Sequence, residues 1–178
     1  MNVICTPYGA FLLISNAMTL VTALLIGLVS HRFVETLMFI TSFVVLRSFT
    51  GGYHSKTFFK CYVYFLGIIA IHILILNLSQ IIPFWLIRCY CLGAVLLSGF
   101  VIRVMAPVDH ENAPIHATER PAYKRIALGL LIVETICSLL FLILPSHFLL
   151  AVSVSTSLFV VSILLIIGEK NRKSEIIQ

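Results

Sequence analysis

His54 and Cys61 lie seven positions apart within Arg47-Ser48-Phe49-Thr50-Gly51-Gly52-Tyr53-His54-Ser55-Lys56-Thr57-Phe58-Phe59-Lys60-Cys61, a polar island in an apolar chain. Thiol chemistry needs a thiolate, and a thiolate needs a base or a nearby positive charge. His54 can take the proton of Cys61, while the adjacent Lys60 and Lys56, five residues before the thiol, favour the anion. Were residues 54–61 one helix, His54 and Cys61 would share a face, with backbones roughly 10 Å apart. That is at the limit of contact. His54 is therefore expected in a bend before a helix, folded back over Cys61, and Gly51-Gly52 supplies the freedom for that bend. A thiol in the first turns of a helix gains further support as an anion from the helix N-terminus.

The wider pattern runs Arg-x4-Gly-x-His-x6-Cys-Tyr from Arg47 to Tyr62, with an apolar span directly after it. It resembles the accessory gene regulator B (AgrB) family, integral-membrane cysteine endopeptidases of peptide quorum sensing. Ala106-Pro107-Val108 with Asn112 and Pro114-Ile115 is similar to that family's loop after its fourth span. The resemblance covers nearly the whole chain and is weakest at the N-terminus. It implies that Cys61 attacks a peptide carbonyl near the C-terminus of a small propeptide, with His54 as general base and then acid. It also implies a thioester with the N-terminal product, which a cysteine or serine within that product displaces to close a thiolactone or lactone ring. Arg47 and Gly52 match family motif positions, Arg47 as an anchor of site or substrate and Gly52 as the residue that permits the bend. Lys60 supports the site, and Lys56, Lys124 and Arg125 are expected to meet the substrate. The partners implied are a propeptide with an acidic C-terminal tail and a second copy of the chain in a homodimer. No cofactor is expected.

The elements that must position these residues are membrane helices. Of 178 residues 60% are hydrophobic and 11% charged, and the mean hydropathy is +1.09. Such values, with long uncharged runs, place the chain in the bilayer. The expectation is an all-α integral membrane protein forming a single polytopic domain over residues 1–178. Its six spans fall at about 8–29, 33–50, 57–78, 84–105, 123–144 and 148–167, and a charged tail follows at 169–178. The first run has no Lys or Arg ahead of it and reads as a span, not a cleaved signal. Its stripe of Ser15, Asn16, Thr19 and Thr22 suits helix–helix hydrogen bonding. The second span is uncharged only as far as Leu46, short for the hydrocarbon core. Either Arg47 snorkels to the interface, or residues 33–61 have re-entrant character. Trp85 and Tyr90 read as interfacial anchors, and His72 as a packed histidine.

Charge sets the orientation. With six spans, one side receives Arg47, Lys56, Lys60, Arg103, Arg120, Lys124, Arg125, Lys170, Arg172 and Lys173, and the other only Arg32 and Arg88. The positive-inside rule then places both termini, His54 and Cys61 at the cytoplasmic face, and the resemblance implies that the membrane is a bacterial cell membrane. The formal charge of +5 reflects this flanking pattern, and no nucleic-acid motif accompanies it. Cys5, Cys61, Cys89, Cys91 and Cys137 form no disulfide framework; Cys89-x-Cys91 lacks partners for a metal, and Cys89, Cys91 and Cys137 read as core or lipid-facing residues. Asp109, His110, Glu111 and His116 lie in a proline-rich loop where nothing fixes ligand geometry, so no metal site is assigned. Glu134, mid-span, is costly in lipid and is a functional candidate that is either protonated or paired on a neighbouring helix. The competing reading is a small non-enzymatic transporter or transporter subunit, which Glu134, His72 and Arg88 would suit. Against it stand the lack of an internal repeat and the position of the reactive cluster at the membrane surface, away from the midplane.

Overall fold

The computed structural model describes residues 7–52, 58–108, 116 and 118–176, with side chains for 17–52, 59–108, 116, 118–144 and 146–171. The element order is α1 (Pro7–Val29), α2 (Phe33–Thr50), α3 (Phe58–Leu78), α4 (Phe84–Met105), α5 (Arg120–Ile143), a 3₁₀ turn (Pro145–His147) and α6 (Phe148–Ile176). The protein is all-helical, as the uninterrupted apolar runs require: in lipid a helix satisfies its own backbone polar groups. Five of the helices are long and apolar enough to cross a membrane, and the described apolar part of α1 covers Ala17–Val29. Helix breaks fall where the chain cannot continue. Pro83 precedes α4, Pro145 opens the 3₁₀ turn, and His31 takes a left-handed φ of 55° in the α1–α2 turn. Pro121 sits in the first turn of α5, where its missing amide costs nothing. α2 is one unbroken helix of 18 residues, about 27 Å long, close to the roughly 30 Å hydrocarbon core.

α6 is the axis of the bundle. Inside its apolar stretch 61% of residues are buried, against 17% in α3, which lies at the periphery. α6 packs on α2, α4 and α5 and touches α3. Ser153, Ser155, Thr156, Ser157 and Ser162 of α6 are all buried, because small side chains let neighbouring helices approach closely. That small-residue run is occupied by packing within one chain. The main core joins Phe39, Phe43 and Leu46 of α2, Val95 and Ile102 of α4, and Leu158, Val161 and Leu165 of α6. A second cluster, built from Leu76, Ile87, Cys91, Leu142 and Val152, closes the opposite end.

Polar bridges fix the register of the helices. The Ser42 hydroxyl on α2 donates to the Glu134 carboxylate on α5 at 2.8 Å, and both residues are buried. This is the partner that the mid-span carboxylate needed. Ser138 and Ser155 share a hydrogen bond of 2.8 Å between α5 and α6. The Tyr62 hydroxyl donates to Thr22 at 3.3 Å, joining α3 to the polar stripe of α1. Tyr90 does not anchor at an interface: its hydroxyl turns inward to Thr156 at 2.8 Å. Trp85 is exposed. His72 is fully buried and stacks on Phe39, with ring centroids 4.3 Å apart.

Candidate active site

The last turn of α2 is built to stop at one place. The Gly51 amide closes the helix on the Arg47 carbonyl at 3.0 Å. Gly51 and Gly52 then take φ values of 70° and 116°, which L side chains rarely adopt. The chain leaving α2 is pinned from two further sides. Val108, after α4, donates its amide to the Thr50 carbonyl at 3.0 Å and forms a parallel β-bridge with Gly51. A Cβ on Gly51 would run into the Val108 carbonyl oxygen, and one on Gly52 would lie 3.2 Å from the Leu164 carbonyl oxygen of α6. Phe49 adds a ring contact with Tyr123 at the start of α5, centroids 5.9 Å apart. Thr50, Ala106 and Val108 are buried. The segment Phe49–Gly52 is therefore held by the exit of α4, the start of α5 and the stretch of α6 around Leu164. The glycine pair supplies conformational freedom as expected, and it also provides space for two backbones to close on the turn. The Ala106–Pro107 peptide is cis.

Across from this clamp, α3 begins at Phe58, and Cys61 and Lys60 are exposed on its first turn. α2 and α3 run antiparallel and meet through aromatic rings. Phe43 on α2 lies against Phe65 on α3, centroids 5.6 Å apart. One turn toward the site end, Arg47 follows Phe43 on α2 and Cys61 precedes Phe65 on α3, each four residues away along the same helix face. The Arg47 guanidinium rests over the Phe43 ring, 5.5 Å from its centroid, and is within electrostatic reach of the Cys61 thiol. Arg47 is half-buried.

His54 and Lys56 lie outside the described residues, as do Asp109, His110, Glu111, Asn112, Pro114 and Ile115. Gly52 and Phe58 bracket the His54 segment. Lys124 and Arg125 are exposed in the first turns of α5. Among the described residues no three of His, Cys, Asp and Glu come together as metal ligands. Two structural partners were not assigned from sequence. One is Thr50, whose carbonyl accepts from the Val108 amide; Thr50 lies inside one motif and Val108 inside the other, and nothing in the sequence pairs them. The other is Ser42, one hydroxyl among many in apolar helices.

The family model described as Accessory gene regulator B matches residues 3–167. AgrB-like protein 2 of Clostridium perfringens (strain 13 / Type A) is 32% identical over 133 residues, covering 72% of this chain and 60% of that protein. An AgrB-like protein of Clostridium perfringens (strain SM101 / Type A) is 31% identical over the same length and the same shares. The chain thus spans about 60% of the length of these two relatives. No solved structure matches it. With the family model matched from α1 to α6 and the family's two motifs joined in space at Gly51 and Val108, the chain belongs to the accessory gene regulator B family.

Proposed function

We propose that the protein is a membrane-embedded cysteine endopeptidase of peptide quorum sensing, acting at the cytoplasmic face. The observation that carries this reading is the placement of Cys61, exposed on the first turn of α3 beside the clamped end of α2 and within electrostatic reach of Arg47. His54 takes the thiol proton and the Cys61 sulfur attacks a carbonyl near the propeptide's C-terminus. As the C–N bond breaks, His54 returns that proton to the leaving amine, and the N-terminal product stays on Cys61 as a thioester. A cysteine or serine within that product attacks the thioester carbonyl, closes a thiolactone or lactone ring and returns the Cys61 thiol. No water is consumed, so a site that excludes water favours cyclisation over hydrolysis. Lys124 and Arg125 supply part of a basic face for an acidic propeptide tail, and Lys56 and Lys60 extend it. Two copies are proposed to act as a homodimer in the bilayer.

The test is reconstitution. Purified protein in lipid bilayers is incubated with a short propeptide carrying an internal cysteine or serine and an acidic end, and the products are weighed. The expected products are a C-terminal acidic fragment and a cyclic product whose mass shows no added water. Intact propeptide with the unsubstituted protein, or equal products from Cys61→Ala, would overturn the proposal.

A further inference from the structure

The α2–α3 seam carries an assignment beyond the His–Cys pair. We infer that Arg47, and not Lys60, is the cation that holds Cys61 as a thiolate, so that the site pairs an arginine on one helix with a nucleophile on the next. This rests on the cysteine-peptidase reading. The geometry begins with the Phe43–Phe65 contact at 5.6 Å, which sets the register of two antiparallel helices. One turn on, that register faces Arg47 toward Cys61. Lys60 is Cys61's neighbour in sequence, yet adjacent residues on a helix point about 100° apart and do not face each other. Lys60 is also exposed, so water screens its charge. Arg47 is half-buried and rests on the Phe43 ring, where charge–charge attraction is stronger than in bulk water. The ring also limits how far the guanidinium wanders. Arg47 closes the last turn of α2 through its own carbonyl, which receives the Gly51 amide at 3.0 Å. The backbone that carries the guanidinium is therefore fixed by the clamp on the end of α2. An arginine keeps its charge at every pH the reaction meets, so the thiolate is maintained while His54 cycles its proton.

Helices α1, α2 and α6 pack against α3. Their described charged or titratable groups at this end are Arg47 on α2, and Glu169 and Lys170 on α6, while α3 itself adds Lys60, Tyr62 and Tyr64. Of these, Arg47 is the one on the helix that meets α3 through Phe43 and Phe65, and it interacts electrostatically with Cys61.

The experiment reads thiol reactivity without any propeptide. Cys5, Cys89, Cys91 and Cys137 are changed to Ala, leaving Cys61 as the sole thiol of the full chain in bilayers. Iodoacetamide alkylation is followed by mass across pH 5.5–10 (a working range of roughly this width brackets thiol ionisation). Arg47→Gln is expected to slow alkylation about tenfold at pH 7 and move the profile to the alkaline side by about one unit, with rates converging on the parent's at high pH. Arg47→Lys should fall between, and Lys60→Gln should stay within about twofold of the parent. The inference is overturned if Arg47→Gln matches the parent at pH 7. It is equally overturned if Lys60→Gln slows alkylation more, or if Arg47→Gln is slow at every pH, which would mean that Arg47 shapes access and not ionisation. Absence of propeptide cleavage with the alkylation order intact would strike the peptidase reading alone.

Discussion

The Val108 amide donates to the Thr50 carbonyl at 3.0 Å, which ties the end of α2 to the exit of α4 at the one place where Gly51 leaves no room for a side chain. The two motifs that carry the family pattern are thereby one physical unit. A Cβ at Gly51 or Gly52 would meet backbone, which cannot swing aside, and positive φ adds a cost of order 1–3 kcal/mol. Gly51→Ala and Gly52→Ala are expected to lower thermal stability in detergent by several degrees and to abolish propeptide processing. Gly67→Ala, where a Cβ meets nothing within 4 Å, should leave both unchanged. Full activity in Gly51→Ala would refute the clamp.

The proposed nucleophile, Cys61, is tested directly. Cys61→Ala and His54→Ala should each reduce cleavage by at least about a thousandfold with the chain still inserted, because Cys61 is exposed and its loss leaves no cavity. Cys89→Ala and Cys137→Ala should process normally. Cys91 is buried, so Cys91→Ala is expected to cost some stability while keeping its kcat. The measurement is product mass over time; retained cleavage by Cys61→Ala would remove the proposed chemistry.

Sidedness has its own readout. In intact cells carrying Cys61 as the only thiol, a membrane-impermeant maleimide added outside should leave Cys61 unlabelled, whereas inverted vesicles should label fully. Labelling from outside would reverse the proposed orientation.

The Ser42–Glu134 bond at 2.8 Å predicts a pattern among stability variants. Ser42→Ala leaves a buried carboxyl without its donor and should cost about 1 kcal/mol, the usual scale for hydrogen bonds between membrane helices. Glu134→Gln keeps an acceptor oxygen and should be milder. A double-mutant cycle on unfolding free energy should give coupling of that same order; additive effects would show that the bond does not bear on stability.

Charge on α5 is expected to act through binding. Lys124→Gln with Arg125→Gln should raise KM severalfold for an acid-tailed propeptide and leave kcat near its original value. Raising salt from about 0.05 to 0.5 M should produce the same change in the parent protein. An unchanged KM in the double variant at low salt would detach these residues from recognition.

The all-α class was legible because uncharged runs of the required length have one stable form in lipid. The turn at Gly51-Gly52 was legible because a glycine pair after a helix has few other uses. The centrality of α6 was not, since hydropathy scores lipid-facing and protein-facing apolar residues alike; only the Ser-rich run at 153–157 hinted at close packing. Tyr90 misled for a related reason. An aromatic near a span end suits an interface, and nothing in one sequence reveals that Thr156 lies opposite. Lys60 was the evident cation beside Cys61 because adjacency is visible in a sequence, whereas the step from Phe43–Phe65 to Arg47–Cys61 needs the pairing of two helices.

The seating of Gly52 against Leu164 also imposes an order in time. α2 leaves the ribosome long before α6, yet the turn that follows α2 finds its backing only when α6 is in place as far as Leu164. Through most of its synthesis the nascent chain has its thiol without the frame that aims it. Packing of α6 is therefore the event that completes the turn after α2.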